Sequence, residues 1–373
     1  MPGAIKQLDK PVNAQLPKYQ VLADQLRAQI QSQELNPGDR LPTFAEMRAK
    51  FNVTSITVER VYGVLEQEGL IERQPRRGLF VAQQKRVLTG NIGFIRSFGF
   101  QSTQEPFTVH LNQGIQRTAT RQQQRLISVE TALGWKATDL IKNVDGLLLS
   151  GHPDSTNREI VRMKPAHMPC VSLLVVADGM TSVVMDDYGA AKIAVEHLLE
   201  NGHRRIACLM QETRNISHIL RDRVAGYEDA MEHAGIEIKS GWEHLADAKQ
   251  VVQARQTHLQ WGREQMSLWL KSDWRKLKCT AILAQNDHVA IGAMQVLQEA
   301  GINVPGEVSM MGFDGTELCD HVTPCLNSVQ LPLEQMGVKA MELLMDQIQS
   351  GRAEEQIIML PAKLRTGNSV AQV

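Results

Sequence analysis

VTSITVERVYGVLEQEGLIERQPRRGLFVA, residues 53–82, decides the reading of the amino-terminal part of the chain. Val58, Val61, Tyr62 and Leu65 recur at helical spacing, so they form the inward stripe of a helix that Thr54 or Ser55 can cap. Gly69 ends that helix, because glycine takes the left-handed conformation cheaply. The remainder, IERQPRRGLFVA, reads as two short strands around a basic turn. Upstream, Thr43 with Glu46 three residues on has the capping-box pattern, which predicts a short helix through Phe51. NPGDR, residues 36–40, is a turn by composition. Tyr19, Leu22, Ala23, Leu26 and Ile30 predict a first amphipathic helix.

Helix, helix, helix and hairpin is the order of a winged helix-turn-helix, spanning 17–82 after a tail at 1–16. The third helix would present Ser55, Ile56, Glu59, Arg60 and Gly63 outward. Thr43, Thr54, Ser55 and Thr57 can donate to phosphates or bases, and Arg48 and Arg60 supply charge. Arg76, Arg77 and Gly78 form the wing, which can reach the backbone or the minor groove. The segments LPKYQVLADQLRAQI, NPGDRLPT, VTSITVERVYGVLEQEGLIER and RRGLFVA resemble the GntR family of regulators in register. That resemblance implies binding to a double-stranded DNA operator. GntR heads usually carry Arg at the positions of Ala45, Ser55 and Glu59, and Gly at the position of Arg76. Arginine is the residue that reads guanine with two hydrogen bonds, so altered base specificity is the expectation.

Residues 83–90, QQKRVLTG, read as a linker. Beyond it, apolar runs such as NIGFI, VDGLLLS, TAILAQND and VSMMGFDG alternate with amphipathic helices, which predicts parallel sheets covered on both faces. The stretches DDYGAAKIAVEHLLENGHRRIACL, RDRVAGYEDAMEHAGI, AILAQNDHVAIGAMQVLQEAGINVPGEVSMMGFDG and TPCLNSVQLPLEQMGVKAMELL resemble the effector domains of the LacI/GalR family. The resemblance implies a type I periplasmic-binding-protein-like fold over 91–373. One subdomain would hold about 91–200 with 332–360, the other 201–331 with 361–373. A GntR head on a LacI-type body resembles the arabinose regulators of Gram-positive bacteria.

Three positions match the effector contacts of those repressors: Arg223, Asn286 in QND, and Asp314 in GFDG. An arginine, an amide and a carboxylate around one cleft suit a polyhydroxylated ligand such as a sugar, whose hydroxyls both donate and accept. Read alone, Arg223 is a surface ion pair, Asn286 a helix cap and Asp314 a turn residue. Leu331 stands where a pocket glutamine is common, Gln330 points to the opposite strand face, and Gly189 stands where some relatives are acidic. Phe98, Phe100, Trp135 and Trp242 are candidates for stacking on a sugar ring. The polar stretch from His244 to Trp269 is expected to reshape the cleft rim or the surface.

The bulk numbers fit this division. The chain has 373 residues with 43% hydrophobic and 22% charged content, an ordinary globular composition. Residues 1–86 hold 13 Lys and Arg against 9 Asp and Glu, a balance of +4 within a net charge of −1. No apolar run reaches the ~18 residues that span a bilayer, and no signal peptide is evident, so a cytoplasmic protein is expected. Five cysteines without CxxC spacing argue against a disulfide framework, and His197 with His203 lacks a cysteine ligand for zinc. No metal, cofactor or catalytic motif is expected. The expected partners are operator DNA, a small polar effector and a second copy of the chain. The competing readings are a cytoplasmic solute-binding sensor with weak or lost DNA binding, and an enzyme.

Overall fold

A computed structural model describes residues 17–31, 34–75, 77–82, 88–96, 106–130, 140–151, 168–212, 218–247 and 257–373. The chain divides into two compact units, Met1–Val87 and Leu88–Val373.

The first unit contains α1 (Lys18–Gln31), α2 (Phe44–Phe51), α3 (Ser55–Gln67) and the antiparallel pair β1 (Ile71–Gln74) and β2 (Gly78–Val81). The helical stripes close over one core of Leu22, Leu26, Met47, Val61, Tyr62 and Leu65. Burying each such side chain is worth about 1.5–3 kcal/mol. Thr43 Oγ1 accepts from the Glu46 N–H and Glu46 Oε2 accepts from the Thr43 N–H, completing the capping box of α2. Of the two candidates for α3, Thr54 is the cap; its hydroxyl accepts from the Thr57 N–H at 3.3 Å. Gly69 has φ of 68°, as a left-handed helix end requires. The NPGDR stretch does more than turn. The Gly38 N–H donates to Val81 O at 3.0 Å and the Leu41 N–H to Leu79 O at 2.9 Å, laying a third edge beside the hairpin.

The second unit is built on two six-stranded sheets. The first runs β13 (Ile357–Leu360), β7 (Thr181–Met185), β6 (Cys170–Leu173), β5 (Gly146–Ser150), β3 (Asn91–Arg96), β4 (Arg125–Glu130), all parallel. The second runs β14 (Lys363–Arg365), β12 (Asn327–Gln330), β11 (Ser309–Asp314), β10 (Ala281–Ala284), β8 (Ile206–Glu212), β9 (Glu243–Asp247), with β14 alone antiparallel. In each sheet the order reverses beside the first strand, at β3/β5 and at β8/β10. Ligands of such sheets lie beyond the carboxyl ends of the strands at that reversal.

Helices α4 (Pro106–Arg121) and α10 (Leu333–Ser350) pack together on the first sheet. Helix α5 (Asp187–Glu200) packs on α6 (His218–His233) and on β12 and β14 of the second sheet. The first crossing therefore falls near residue 186, and the expected boundary near 200 is corrected: the inward face of α5 is buried against the second sheet. Helix α7 (His258–Lys271) lies along α9 (Asp287–Glu299), and the short α8 (Trp274–Leu277) follows it. Trp261 and Trp269 of α7 are buried, and the His244 ring stacks on Trp269 at 4.7 Å. Of the 244–269 stretch, residues 258–269 thus belong to a helix packed into the core, where a cleft rim was one expectation.

Candidate DNA interface and effector cleft

On α3, Ser55, Glu59 and Arg60 are exposed, and Ile56 keeps 70% of its surface. A bare isoleucine on the outward first turn suits contact with a thymine methyl, which lies in the major groove. Arg60 leans over the Tyr19 ring at 5.9 Å. Glu59 is not a free negative charge, since Arg73 Nη2 of β1 lies 3.4 Å from its Oε1 and 3.7 Å from Glu66 Oε2. The sequence reading missed Arg73, whose pairing depends on a strand folding back beside the helix.

Thr43 and Arg48 are exposed, with the Thr43 hydroxyl engaged in its cap. The Thr54 and Thr57 hydroxyls lie 3.0 Å apart. Arg77 is exposed over Phe80, 5.4 Å from the ring centre, and Arg76 lies outside the described residues. Gly78 has φ of 113°, and a Cβ there would sit 3.5 Å from Arg40 Nε. Arg40 therefore joins Arg77 on the hairpin surface. It was overlooked because a turn composition hides the bridge from Arg40 to Phe80.

In the second unit, Arg223 is buried at 4% exposure. Its Nε donates to Asp187 Oδ1 at 2.8 Å, its Nη1 donates to the Gln285 carbonyl, and its guanidinium lies 4.4 Å from the Phe313 ring centre. It thus touches the residues just before Asn286 and Asp314, bringing all three candidates to the neighbouring ends of β10 and β11. The ion pair it makes is buried, where the residue-by-residue reading had a surface pair. Asn286 caps α9 through the Val289 N–H at 2.9 Å and keeps partial exposure. Asp314 is 7% exposed and has φ of 100°, a strained conformation for a residue with a Cβ.

Asp287, beside Asn286, accepts from Ser328 Oγ at 2.5 Å, Thr316 N at 3.0 Å, Thr316 Oγ1 at 3.3 Å and Cys319 Sγ at 3.4 Å. Burial pushes its carboxyl up to about 6, against those donors. Leu331 is buried and Gln330 exposed, on opposite faces. At Gly189 a Cβ would meet Asp186 Oδ2 at 2.2 Å, so a side chain there would have to displace the Asp186 carboxylate that caps α5. Trp242 is corrected as a stacking candidate: it is a core residue just before β9, at the amino ends of the strands, away from the cleft. Phe98, Phe100 and Trp135 lie outside the described residues. Across the two sheets, His110 Nε2 of α4 lies 2.7 Å from Glu317 Oε2 in the 3-10 helix Glu317–His321. Among the described residues no group of three or more His, Cys, Asp or Glu could hold a metal ion, and no helix is long and apolar enough to cross a membrane.

The family of bacterial regulatory proteins named gntR matches residues 18–81, and the periplasmic binding protein-like domain matches residues 195–370. The arabinose metabolism transcriptional repressor of Geobacillus stearothermophilus is 24% identical over 376 residues, covering 96% of this chain and 99% of its own. Catabolite control protein A of Priestia megaterium is 27% identical, covering 84% of this chain and 90% of its own. Among solved structures, a transcriptional regulator CelR–cellobiose complex superposes with a TM-score of 0.64 at 23% identity, covering 88% of this chain and 100% of that one. A LacI family regulator from Enterococcus faecium with bound ribose gives 0.64 at 24% identity, covering 76% and 99%.

Proposed function

This chain joins a gntR-family regulatory head to a periplasmic binding protein-like body, and from that premise we infer a ligand-responsive, DNA-binding transcriptional regulator that acts as a repressor. The observation that carries the inference is the presence in one chain of an exposed first turn on α3 and a polar cluster at the carboxyl ends of β10 and β11. Ser55, Ile56 and Arg60 read base edges, while Arg40, Arg48, Arg76 and Arg77, with Thr43, Thr54, Thr57 and Gly78, hold phosphates. The arabinose repressor covered end to end by this chain supports the repressor reading.

The body's ligand is a small polyhydroxylated molecule of the sugar class, held by Asn286 and Asp314 with Arg223 fixed behind them. Its partial buried network is that of a binding protein, and the chain's chemistry is recognition without turnover. The active form is a homodimer, since a tethered second head raises effective concentration at a paired site. Ligand shifts DNA affinity only by preferring one state of the body, and a tenfold preference corresponds to about 1.4 kcal/mol. The rival reading, a sensor that has lost DNA binding, draws on the missing arginines at 45, 55 and 59; the Arg73–Glu59 pair weakens it by removing the repulsive charge.

The test is fluorescence anisotropy with duplexes selected from a random pool, at low salt and then with sugars added. We expect salt-dependent binding and a sugar that alters it. No affinity for any duplex in dilute salt overturns the regulator.

A further inference from the structure

We propose that the effector is a polyhydroxylated molecule bearing one anionic group, and that Arg96 with Ser150 receives that group. The proposal rests on the reading of the body as a sugar-class sensor and names the ligand's charge.

Arg96 and Ser150 end β3 and β5, the strands that flank the order reversal of the first sheet. They are paired neighbours in the parallel register, so their side chains share a face. Phe94 and Leu148, two residues earlier, belong to the larger core, while Ile95, Leu147 and Leu149 belong to the smaller one. Arg96 and Ser150 thus continue the larger core's side at the carboxyl ends of the strands. One polar atom of each is left over there: Ser150 Oγ and Arg96 Nε are buried and have no hydrogen-bond partner among the described residues. Ser150 is fully buried, and Arg96 is half-buried. A guanidinium carries only donors and stays charged, so it calls for an acceptor, best a charged one.

The opposite wall does not compete for that role. Arg223 is already neutralised by Asp187 at 2.8 Å and spends a second donor on a backbone carbonyl. Among the described residues of that wall, Asn286 and Asp314 fit hydroxyls. A ligand with hydroxyls toward the second sheet and a phosphate or carboxylate toward the first satisfies both walls. Ser150 can donate to the same anionic oxygen that the guanidinium engages.

The test uses the full chain, with affinities from thermal shift and calorimetry. Matched probes are a neutral pentose and hexose, their phosphate esters, and the corresponding aldonates. We expect at least one charged member to bind about tenfold more tightly than its neutral partner, the factor of a charge-assisted hydrogen bond. Which member wins, ester or aldonate, identifies the anionic group. Arg96→Gln should erase the preference and Arg96→Lys should keep part of it, since an ammonium is a point charge without the planar fork. Circular dichroism of both variants should match the parent. A neutral sugar that binds as well as its charged partner overturns the proposal and leaves the sensor reading standing. So does a preference that survives in Arg96→Gln. If no probe, charged or neutral, shifts the melting temperature, the sensor reading itself fails and takes this proposal with it.

Discussion

Asp314 holds φ of 100°, which costs a residue with a Cβ about 1–3 kcal/mol. The GFDG stretch drew attention to this position in the sequence, but nothing in four letters fixes which residue takes the left-handed turn. The first prediction follows from the strain. Asp314→Gly and Asp314→Ala both lose the carboxylate and should both lose the ligand-induced thermal shift. The glycine variant should be more stable than the alanine variant by about 1 kcal/mol in urea unfolding, the reverse of their order in ordinary positions. An alanine variant of equal or greater stability would mean that the backbone is unstrained. Arg223 shows the other limit of sequence reading: its partner Asp187 lies 36 positions away, and no spacing rule links them. The buried histidines give a second prediction. His203 Nδ1 meets Thr280 Oγ1 at 2.9 Å and its Nε2 meets Ala371 O at 3.1 Å. Burial holds His203, His197 and His244 below the usual 6.5. A base whose folded value is depressed stabilises the fold above 6.5 and loses that contribution as pH falls, because the unfolded chain takes up the proton first. Asp287, raised to about 6, works the opposite way, favouring the fold at low pH and losing that as pH rises. Glu243, whose carboxyl burial also raises, works in the same direction as Asp287. Three imidazoles still outnumber two carboxyls, so the unfolding free energy from urea titration should fall from pH 6.5 to 5, by up to about 1.4 kcal/mol per pH unit for each unopposed proton. A free energy that is flat or rises over that range would contradict the assignment of neutral buried imidazoles.

Among the elements, glycines on facing helices allow close backbone packing, as between α7 and α9. A Cβ at Gly262 of α7 would sit 2.5 Å from Val289 O, and one at Gly292 of α9 would sit 2.3 Å from Leu259 O. Both obstacles are backbone, so the helices would have to part. Gly262→Ala gains about 1 kcal/mol of helix propensity and loses about 1–3 kcal/mol to overpacking, so a net loss is expected in thermal unfolding. Gly63 of α3 is the control: nothing lies within 4 Å of a Cβ there, so Gly63→Ala should stabilise the head by about 0.5–1 kcal/mol. If both substitutions move stability in the same direction, contact does not decide the sign. Caps and apolar stripes made α2, α3 and the hairpin legible from sequence, because those signals are local. The third edge at 38–41 and the allegiance of α5 were not legible, because each depends on which distant strand lies alongside.

For the body as a whole, alternating apolar runs foretold parallel sheets, and the strand-end candidates fell beside one another. The pairing of His110 with Glu317 was invisible, since it joins a helix on one sheet to a turn on the other across 207 positions. If the body closes around a ligand, that contact is one that closure must keep or rearrange. His110 holds the Glu317 carboxyl below the usual carboxylate range. The pair is partly open to solvent, with the Glu317 side chain 56% exposed, so an exposed pair's value of about 0.2–1 kcal/mol applies. Neither residue lies at the strand ends assigned to the ligand. His110→Gln should therefore leave the association rate of the effector unchanged and raise its dissociation rate by about 1.4- to 5-fold, the factors equivalent to that energy range. Stopped-flow mixing followed by intrinsic tryptophan fluorescence reads both rates. A variant that slows association tenfold would make His110 part of the entry path, and one that leaves both rates alone would remove the pair from any part in closure.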